Sequence, residues 1–387
     1  MRLILSIDAL HLPLTGIGWY ALELARGFAV HPRVEQLVFT DGRRYPLPPP
    51  DFAAFDIGQA GSDKAAPDGP VAVSRKAHLL RPIRAAAGRL IASRTRARLE
   101  KLEDFVCHGP NYVVPRRGPR ERNAVTIHDL SVLCFPDLHP AQRVRYMQIQ
   151  MPKAIANSRQ VIVSSRSVAN EVREAYGVAD DRVSVVPLGV RSVFSEITQP
   201  SDVDYLGSIG VQEGSFFLFV NGADPRKNLS SALLAFAHDK RRQRDGLRMV
   251  VTAPMRDYDQ LVRSLAGQSN IIVVPYPSES ELAILYRGAC GLLFPSLYEG
   301  FGLPVVEALA SGTPALISQA DTLLEFAELP GVVAVDVSDT EAFSDGIDQL
   351  LSSRICDAAL AGAQPISHRF SWQQCVNKTF SSYSELL

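Results

Sequence analysis

Between Gly291 and Ser311 three signals follow in close order: a short apolar run from Gly291 to Phe294, a loop holding Gly300 and Gly302, and a helix pattern with Pro304 in its first turn and Gly312 and Pro314 closing it. The apolar run reads as a buried strand. A buried strand passing through a glycine loop into a helix belongs to a parallel sheet covered by helices, and such patterns alternate along the whole chain. The same unit makes an anion site, because glycines let the backbone approach a phosphate while unpaired N–H groups and the positive end of the helix dipole face it. Glu299 and Glu307 flank that site. Carboxylates so near a phosphate repel it, so they suit the hydroxyl groups of sugars on either side, and the phosphate then belongs to a sugar nucleotide.

At 387 residues and 46% hydrophobic content the chain is long enough for two globular domains. No apolar run approaches the roughly 20 residues that span a bilayer. Met1 to Asp8 reads as a first strand and not as a signal peptide. Five cysteines, at 107, 134, 290, 356 and 375, lack C-x-x-C spacing and point to reduced thiols in a cytoplasmic protein, with no disulfide or zinc framework. The net charge of −1 hides an asymmetry: residues 1 to 200 carry +8 and the remainder −9, so the front half is the better match for an anionic partner. Within it, Arg75 to Lys101 carries nine Lys or Arg, one acid and an apolar stripe at helical spacing that includes Leu79, Ile83, Leu90 and Ile91. This stretch is either a solvated helix face or an arm for peripheral contact with an anionic membrane.

In chain order, Leu3 to Ile7 is a strand, followed by a loop and a helix through Glu23 to Phe28. Gly16-x-Gly18-x-x-Ala21 matches a dinucleotide fingerprint, with Asp41 as a ribose partner, so an NAD-dependent oxidoreductase is one reading; the fingerprint's first glycine, however, belongs directly at the strand end, and here Ala9 to Thr15 intervene. Ligands in parallel sheets lie beyond the carboxyl ends of the strands, which is where His108 and His128 fall. Pro187 to Gly207 reads as a linker. The second domain opens on the strand Phe216 to Val220, and Asp224-Pro225-Arg226-Lys227-Asn228 then delivers two cations just before a helix, as a diphosphate pocket requires. Ser278 and Glu281 form a capping box. The triplets Asp202-Val203-Asp204 and Asp257-Tyr258-Asp259 follow no strand directly and read as solvated carboxylates, so no metal site is expected.

Glu299 and Glu307, in the frame Pro-Ser-Leu-Tyr-Glu-Gly-Phe-Gly-Leu-Pro-Val-Val-Glu-Ala, resemble the E-x7-E signature of the retaining glycosyltransferases of family 4. The Pro225-Arg-Lys-Asn segment is similar to another stretch of that family, with the usual glycine shifted by one position at Asn221-Gly222-Ala223. Thr126 to Tyr146 resembles its bacterial surface-polysaccharide branch, particularly enzymes using GDP-mannose and related sugars. Two positions depart from the pattern: Trp19 stands where Arg is usual, and Ser164-Ser165-Arg166 where Ser-Glu-Phe is usual.

The resemblance implies an α/β GT-B fold, two Rossmann-like domains facing a central cleft, with residues 1–198 and a returning helix 370–387 binding acceptor and 199–369 binding the nucleotide sugar. It implies that Glu299, Arg226, Lys227 and His128 carry catalysis, with His128 beside the transferred sugar. Donor contacts fall to Gly16, Gly18, Gly222, Gly300, Phe301, Gly302, Leu303 and Glu307, the last holding ribose, and to Tyr276 near the base. His108, Asn111 and Asp129 lie on the acceptor side. The partners implied are a nucleotide diphosphate sugar as donor and a glycan or polyprenyl-diphosphate-linked acceptor, with no cofactor and no nucleic acid. A sugar-nucleotide-binding protein without catalysis is a further reading of the same residues.

Overall fold

The computed structural model describes residues 1–12, 14–57, 90–196, 199–239, 242, 245–265, 268, 270–275 and 277–386. Two compact units result: Met1–Ser164, Val168–Val186 and Val376–Leu387 form the first, and Ser165–Ser167 with Pro187–Cys375 form the second. The main division, between Val186 and Pro187, falls where the stretch Pro187 to Gly207 begins.

In the first unit β1 (Arg2–Ser6), β2 (Gln36–Thr40), β3 (Phe105–Gly109), β4 (Asn123–Ile127), β5 (Gln160–Val163) and β6 (Val183–Val185) make one sheet in the order β2-β1-β3-β4-β5-β6. In the second, β7 (Phe216–Phe219), β8 (Arg248–Ala253), β9 (Ile271–Pro275), β10 (Gly291–Phe294), β11 (Ala315–Ser318) and β12 (Val332–Val335) are ordered β12-β11-β10-β7-β8-β9. Every pairing in both sheets is parallel. Parallel strands covered on both faces are buried throughout and mostly apolar, and β3, β4, β7 and β10 are unbroken buried runs, with His108, Asn123 and Thr126 as the polar residues in β3 and β4. The order reverses between β1 and β3 in one sheet and between β7 and β10 in the other. Connections leave such a pair in opposite directions, which opens a crevice beyond the strands' carboxyl ends.

The stretch expected as a linker is structured. Ser192–Ser195 is a 3-10 turn and Pro200–Ser208 a helix. Asp202 of the first D-x-D triplet is not solvated: it is 4% exposed, and its Oδ2 accepts from the Arg287 guanidinium at 2.9 and 3.0 Å. Among the described residues no helix is long and apolar enough to cross a membrane.

The terminal helix Trp372–Ser382 continues into a 3-10 turn, Tyr383–Leu386, and from Val376 onward it belongs to the first unit. Val376 packs on Gly27, where any Cβ would collide with it. The Phe380 ring stacks on His31 at 4.0 Å between centroids, with Arg33 4.4 Å from its centre. Tyr383 Oη lies 2.6 Å from His108 Nδ1. His108 Nε2 is 2.8 Å from Thr126 Oγ1, which is itself 2.9 Å from Tyr20 Oη. Both ring nitrogens of His108 are thus engaged inside a fully buried side chain, and the residue offers nothing to an acceptor; the expected place beyond a strand end is not borne out, because β3 runs on to Gly109. Strand-end placement brought it near the crevice, but its ring turns into the core.

Burial, aided by the neighbouring His128, lowers the His108 pKa to about 3. The unfolded chain takes up this proton near pH 6.5, whereas the folded one does not until about pH 3, so His108 costs stability progressively as pH falls through that window. Between pH 6.5 and 4.5 the wild type should lose stability relative to His108→Gln with a slope approaching about 1.4 kcal/mol per pH unit. Parallel urea-unfolding profiles for the two proteins would show that His108 is protonated freely in the folded state.

Candidate active site

The crevice of the second sheet collects most of the expected donor residues. After β7, Asp224 caps the 3-10 turn Pro225–Lys227 by accepting from the Arg226 amide at 3.0 Å. The Arg226 guanidinium folds back on the same carboxylate, with Nη2 2.7 Å from Oδ2 and Nε 3.2 Å from Oδ1. Burial alone would raise the Asp224 pKa, but these bonds and the adjoining charges of Arg226 and Lys227 hold it below its ordinary value. After β10, the Leu297 amide donates to the Arg226 carbonyl at 2.8 Å, tying the two loops together by their backbones. Lys227 Nζ then reaches Glu299 Oε1 at 2.5 Å while lying 4.7 Å from the centre of the Phe294 ring. A paired, largely enclosed ammonium is held in one place, with cation–π attraction adding to the ion pair.

Gly302 starts the helix Leu303–Ala310 at φ +102°, a conformation that side chains rarely adopt. Phe301 turns inward against Phe326 and Phe370 at 5.4 and 6.0 Å, so its side chain is core and only its backbone is available to a ligand. Gly222 is likewise a packing glycine, since a Cβ there would collide with Val251. Tyr276 lies outside the described residues.

Glu307, on the second turn of that helix, is 8% exposed. Its Oε2 accepts from Tyr286 Oη at 3.0 Å, and Arg191 Nη2 stands 3.9 Å from Oε1. Arg191 is itself paired with Glu279 and sits 4.9 Å over the Phe194 ring. Burial pushes the Glu307 pKa up, and Arg191, the Tyr286 hydrogen bond and Lys227 offset this only in part. The result is a carboxyl group fixed in orientation by its partners.

In the first unit, Thr15 caps the helix Gly16–Ala29 through the Gly18 amide at 3.3 Å. Gly18 has no room for a side chain, because a Cβ would lie 2.9 Å from Leu14 Cδ2 and 3.1 Å from the Ala9 carbonyl. Asp41 is occupied by the amides of Arg43 and Arg44 at 2.9 and 2.6 Å and by Arg44 Nε at 2.8 Å, so the ribose partner of the dinucleotide reading is a turn cap instead. His128 Nε2 donates to the Pro110 carbonyl at 2.8 Å, and its ring meets Tyr20 and Tyr112 edge-on. Burial lowers the His128 pKa against the opposing influence of the Pro110 carbonyl and Asp129, which leaves a neutral imidazole of fixed tautomer at pH 7. Asp129 accepts from the Ser131 amide at 2.9 Å. Asn111 Nδ2 donates to Asp8 Oδ2 at 3.1 Å, across the reversal between β1 and β3. This pair lines a cavity of about 600 Å³ with Arg43, Arg143 and Tyr146, which neither His108 nor Asp129 lines.

Residues 209–363 match the family described as Glycosyl transferases group 1, and residues 14–192 match Glycosyltransferase Family 4. The chain belongs to the glycosyltransferases. It is 28% identical over the full length of both chains to O-antigen chain mannosyltransferase B of Escherichia coli, and 27% identical to O-antigen chain mannosyltransferase RfbU of Salmonella typhimurium over 60% of this chain and 62% of that one. Among solved structures, HepE of Anabaena in complex with UDP and glucose superposes with a TM-score of 0.64 at 16% identity, covering 98% of this chain and 99% of that one. WaaG, a glycosyltransferase involved in lipopolysaccharide biosynthesis, does so at 0.60 and 14%, covering 99% of each. The fold is GT-B, two Rossmann-like halves each with its own parallel sheet.

The glycosyltransferase also uses residues that no motif announced. Asp224, Arg191, Glu279 and Tyr286 hold Arg226 and Glu307 in place, yet Arg191 and Glu279 are far apart in sequence, and nothing in spacing joins them. Asp224 is the exception, since an Asp before Pro at a turn is a recognisable cap.

The Lys227–Glu299 pair buries most of both side chains, at 13% and 14% exposure. Lys227→Met should therefore strand a carboxylate, and a double-mutant cycle with Glu299→Gln in urea unfolding should give a coupling of about 0.5 to 3 kcal/mol. Additive effects would mean that the pair does not hold the loops in solution.

Proposed function

We propose that the glycosyltransferase moves a hexosyl unit, mannose or another GDP-linked sugar, from a nucleotide diphosphate sugar to a hydroxyl of a glycan or lipid-linked glycan, with retention of configuration, in bacterial surface polysaccharide synthesis. The observation carrying this reading is the joined pair of loops at the β7–β10 reversal, where Arg226, Lys227 and the start of the helix Leu303–Ala310 stand beside Glu299 and Glu307. The full-length similarity to an O-antigen mannosyltransferase supports mannose over other hexoses.

In this reaction the bond from the sugar's anomeric carbon to the diphosphate breaks as the acceptor oxygen bonds on the same face, and the acceptor's proton passes to the departing phosphate. Arg226, Lys227 and the amides near Gly302 stabilise the charge gathering on the leaving group. Glu299 takes sugar hydroxyls and Glu307 those of ribose. Neutral His128 positions the reacting sugar, and the acceptor enters at Asp8 and Asn111. The donor is consumed as a substrate, and the scheme calls on no metal or cofactor.

Calorimetry with GDP-, UDP- and dTDP-sugars followed by a transfer assay tests the reading. Binding without transfer or donor hydrolysis would leave a sugar-nucleotide-binding protein, and reduction of NAD would return the oxidoreductase. Glu307→Ala should weaken GDP and GDP-mannose alike, about ten- to a hundredfold, whereas Glu299→Ala should weaken mainly GDP-mannose. Equal losses for both ligands in both variants would overturn this division.

A lipid-linked acceptor calls for a cytoplasmic enzyme at the inner face of a membrane. Of the basic arm 75–101, residues 75–89 lie outside the described residues. The remainder is helical over 90–100 and exposes Leu90, Ile91, Arg94 and Arg98. Each cation near an anionic surface contributes about 1 kcal/mol. Replacing Arg94, Arg98 and Lys101 by Gln should release the protein from anionic liposomes in sedimentation with GDP affinity unchanged. Unaltered sedimentation would make this a solvated helix face.

A further inference from the structure

A second cavity, about 550 Å³, lies in the first unit next to the one holding Asp8 and Asn111, and the two share Arg96, Val113 and Val114. Their chemistry differs. The first mixes Asp8 and Asp41 with cations and suits hydroxyl groups. The polar lining of the second is Arg96, Arg116, Arg117, Gln150, Lys153 and Asn157, with no carboxylate among the described residues.

Arg116 forms the buried floor, its guanidinium donating to Asn123 Oδ1 at 2.8 Å and to the carbonyls of Leu102 and Phe105 at 2.7 and 2.6 Å. Asn157 Nδ2 donates to the Arg116 carbonyl at 2.9 Å and fixes that corner. The side chains of Arg96, Arg117 and Lys153 form no ion pair or hydrogen bond among the described residues. Like charges gathered on one wall repel, and a ligand with several anionic oxygens relieves that repulsion while accepting the forked hydrogen bonds of arginine.

We propose that this cavity is a subsite for the diphosphate of the acceptor, with Arg96 at the junction and the acceptor's sugars lying in the neighbouring cavity toward Asp8 and Asn111. The helices that supply Arg96 and Lys153, 90–100 and Ala141–Ala156, also carry exposed apolar side chains, Leu90 and Ile91 on one and Tyr146 and Ile149 on the other. An apolar tail attached to the diphosphate has a surface to follow as it leaves. The assignment rests on the reading of the protein as acting on a glycan acceptor.

The test uses Arg117→Gln with Lys153→Gln in the full-length protein, with folding checked by thermal melting. Transfer is compared for one glycan carrying a diphosphate with a short alkyl tail and for the same glycan as a neutral alkyl glycoside. The double variant should raise KM for the first about ten- to a hundredfold and leave KM for the second, kcat and GDP affinity unchanged. Equal effects on both acceptors, or none, would overturn the subsite. Inorganic pyrophosphate binding by calorimetry separates this failure from failure of the functional reading. If the wild type binds donor but transfers to neither acceptor, pyrophosphate heat present in the wild type and lost in the double variant still supports an anion subsite, whereas no heat in the wild type sinks it. Loss of anionic-liposome binding with pyrophosphate binding intact would assign these cations to the membrane surface and reject the proposal.

Discussion

The ion pair between Lys227 and Glu299, backed by the hydrogen bond from the Leu297 amide to the Arg226 carbonyl, joins two loops that are 72 residues apart in sequence. The parallel order of the second sheet, with β10 beside β7, brings those loops within reach of one another. A lysine alone at this place would be a mobile, solvated charge. Held by a carboxylate in a partly enclosed site, and resting on Phe294, it becomes a fixed one, and fixed charge is what a departing diphosphate can use without reorganisation. Arg226 is held in the same manner by Asp224, so both cations of the segment are oriented by carboxylates and neither hangs free.

Glu307 extends this arrangement inward. Its burial raises the cost of ionisation, and the Tyr286–Glu307–Arg191–Glu279 cluster offsets part of that cost while dictating where the carboxylate points. A buried network of this kind is favourable only when each member has a partner. Its members come from two helices, Glu279–Gly288 and Leu303–Ala310, and the segment following β6, so the cluster also binds together elements that the sheet does not pair.

The first unit treats its polar groups differently. Two histidines mark neighbouring strands, His108 inside β3 near its end and His128 directly after β4, and their surroundings tell them apart. His108 is closed in by Thr126 and by Tyr383 of the terminal turn, and works as a core residue whose hydrogen bonds tie the chain's end to β3 and β4. His128 keeps one ring nitrogen committed to a backbone carbonyl and a little exposure, which is what a positioning group needs.

Much of this was legible in the sequence. The short apolar runs at 105, 124, 216 and 291, the glycine loop at 300 to 302 and the capping box at Ser278 are local features, and local features follow from backbone sterics and from the need of a doubly covered strand to be mostly apolar. The two carboxylates with seven residues between them and the adjoining Arg226 and Lys227 were visible for the same reason, since the first pair lies on one loop and the helix it leads into and the second on one turn. Tertiary structure alone decided which charged groups are paired. Asp202 met Arg287 in a segment that reads as a linker, Asp41 became a turn cap, Gly222 and Phe301 turned to packing, and His108 turned inward. The Asp41 cap is local, made by Arg43 and Arg44, but each of the other outcomes depends on a partner tens to hundreds of residues distant; the energy of an ionisable side chain is set by what surrounds it in space, which strand order determines and local spacing does not.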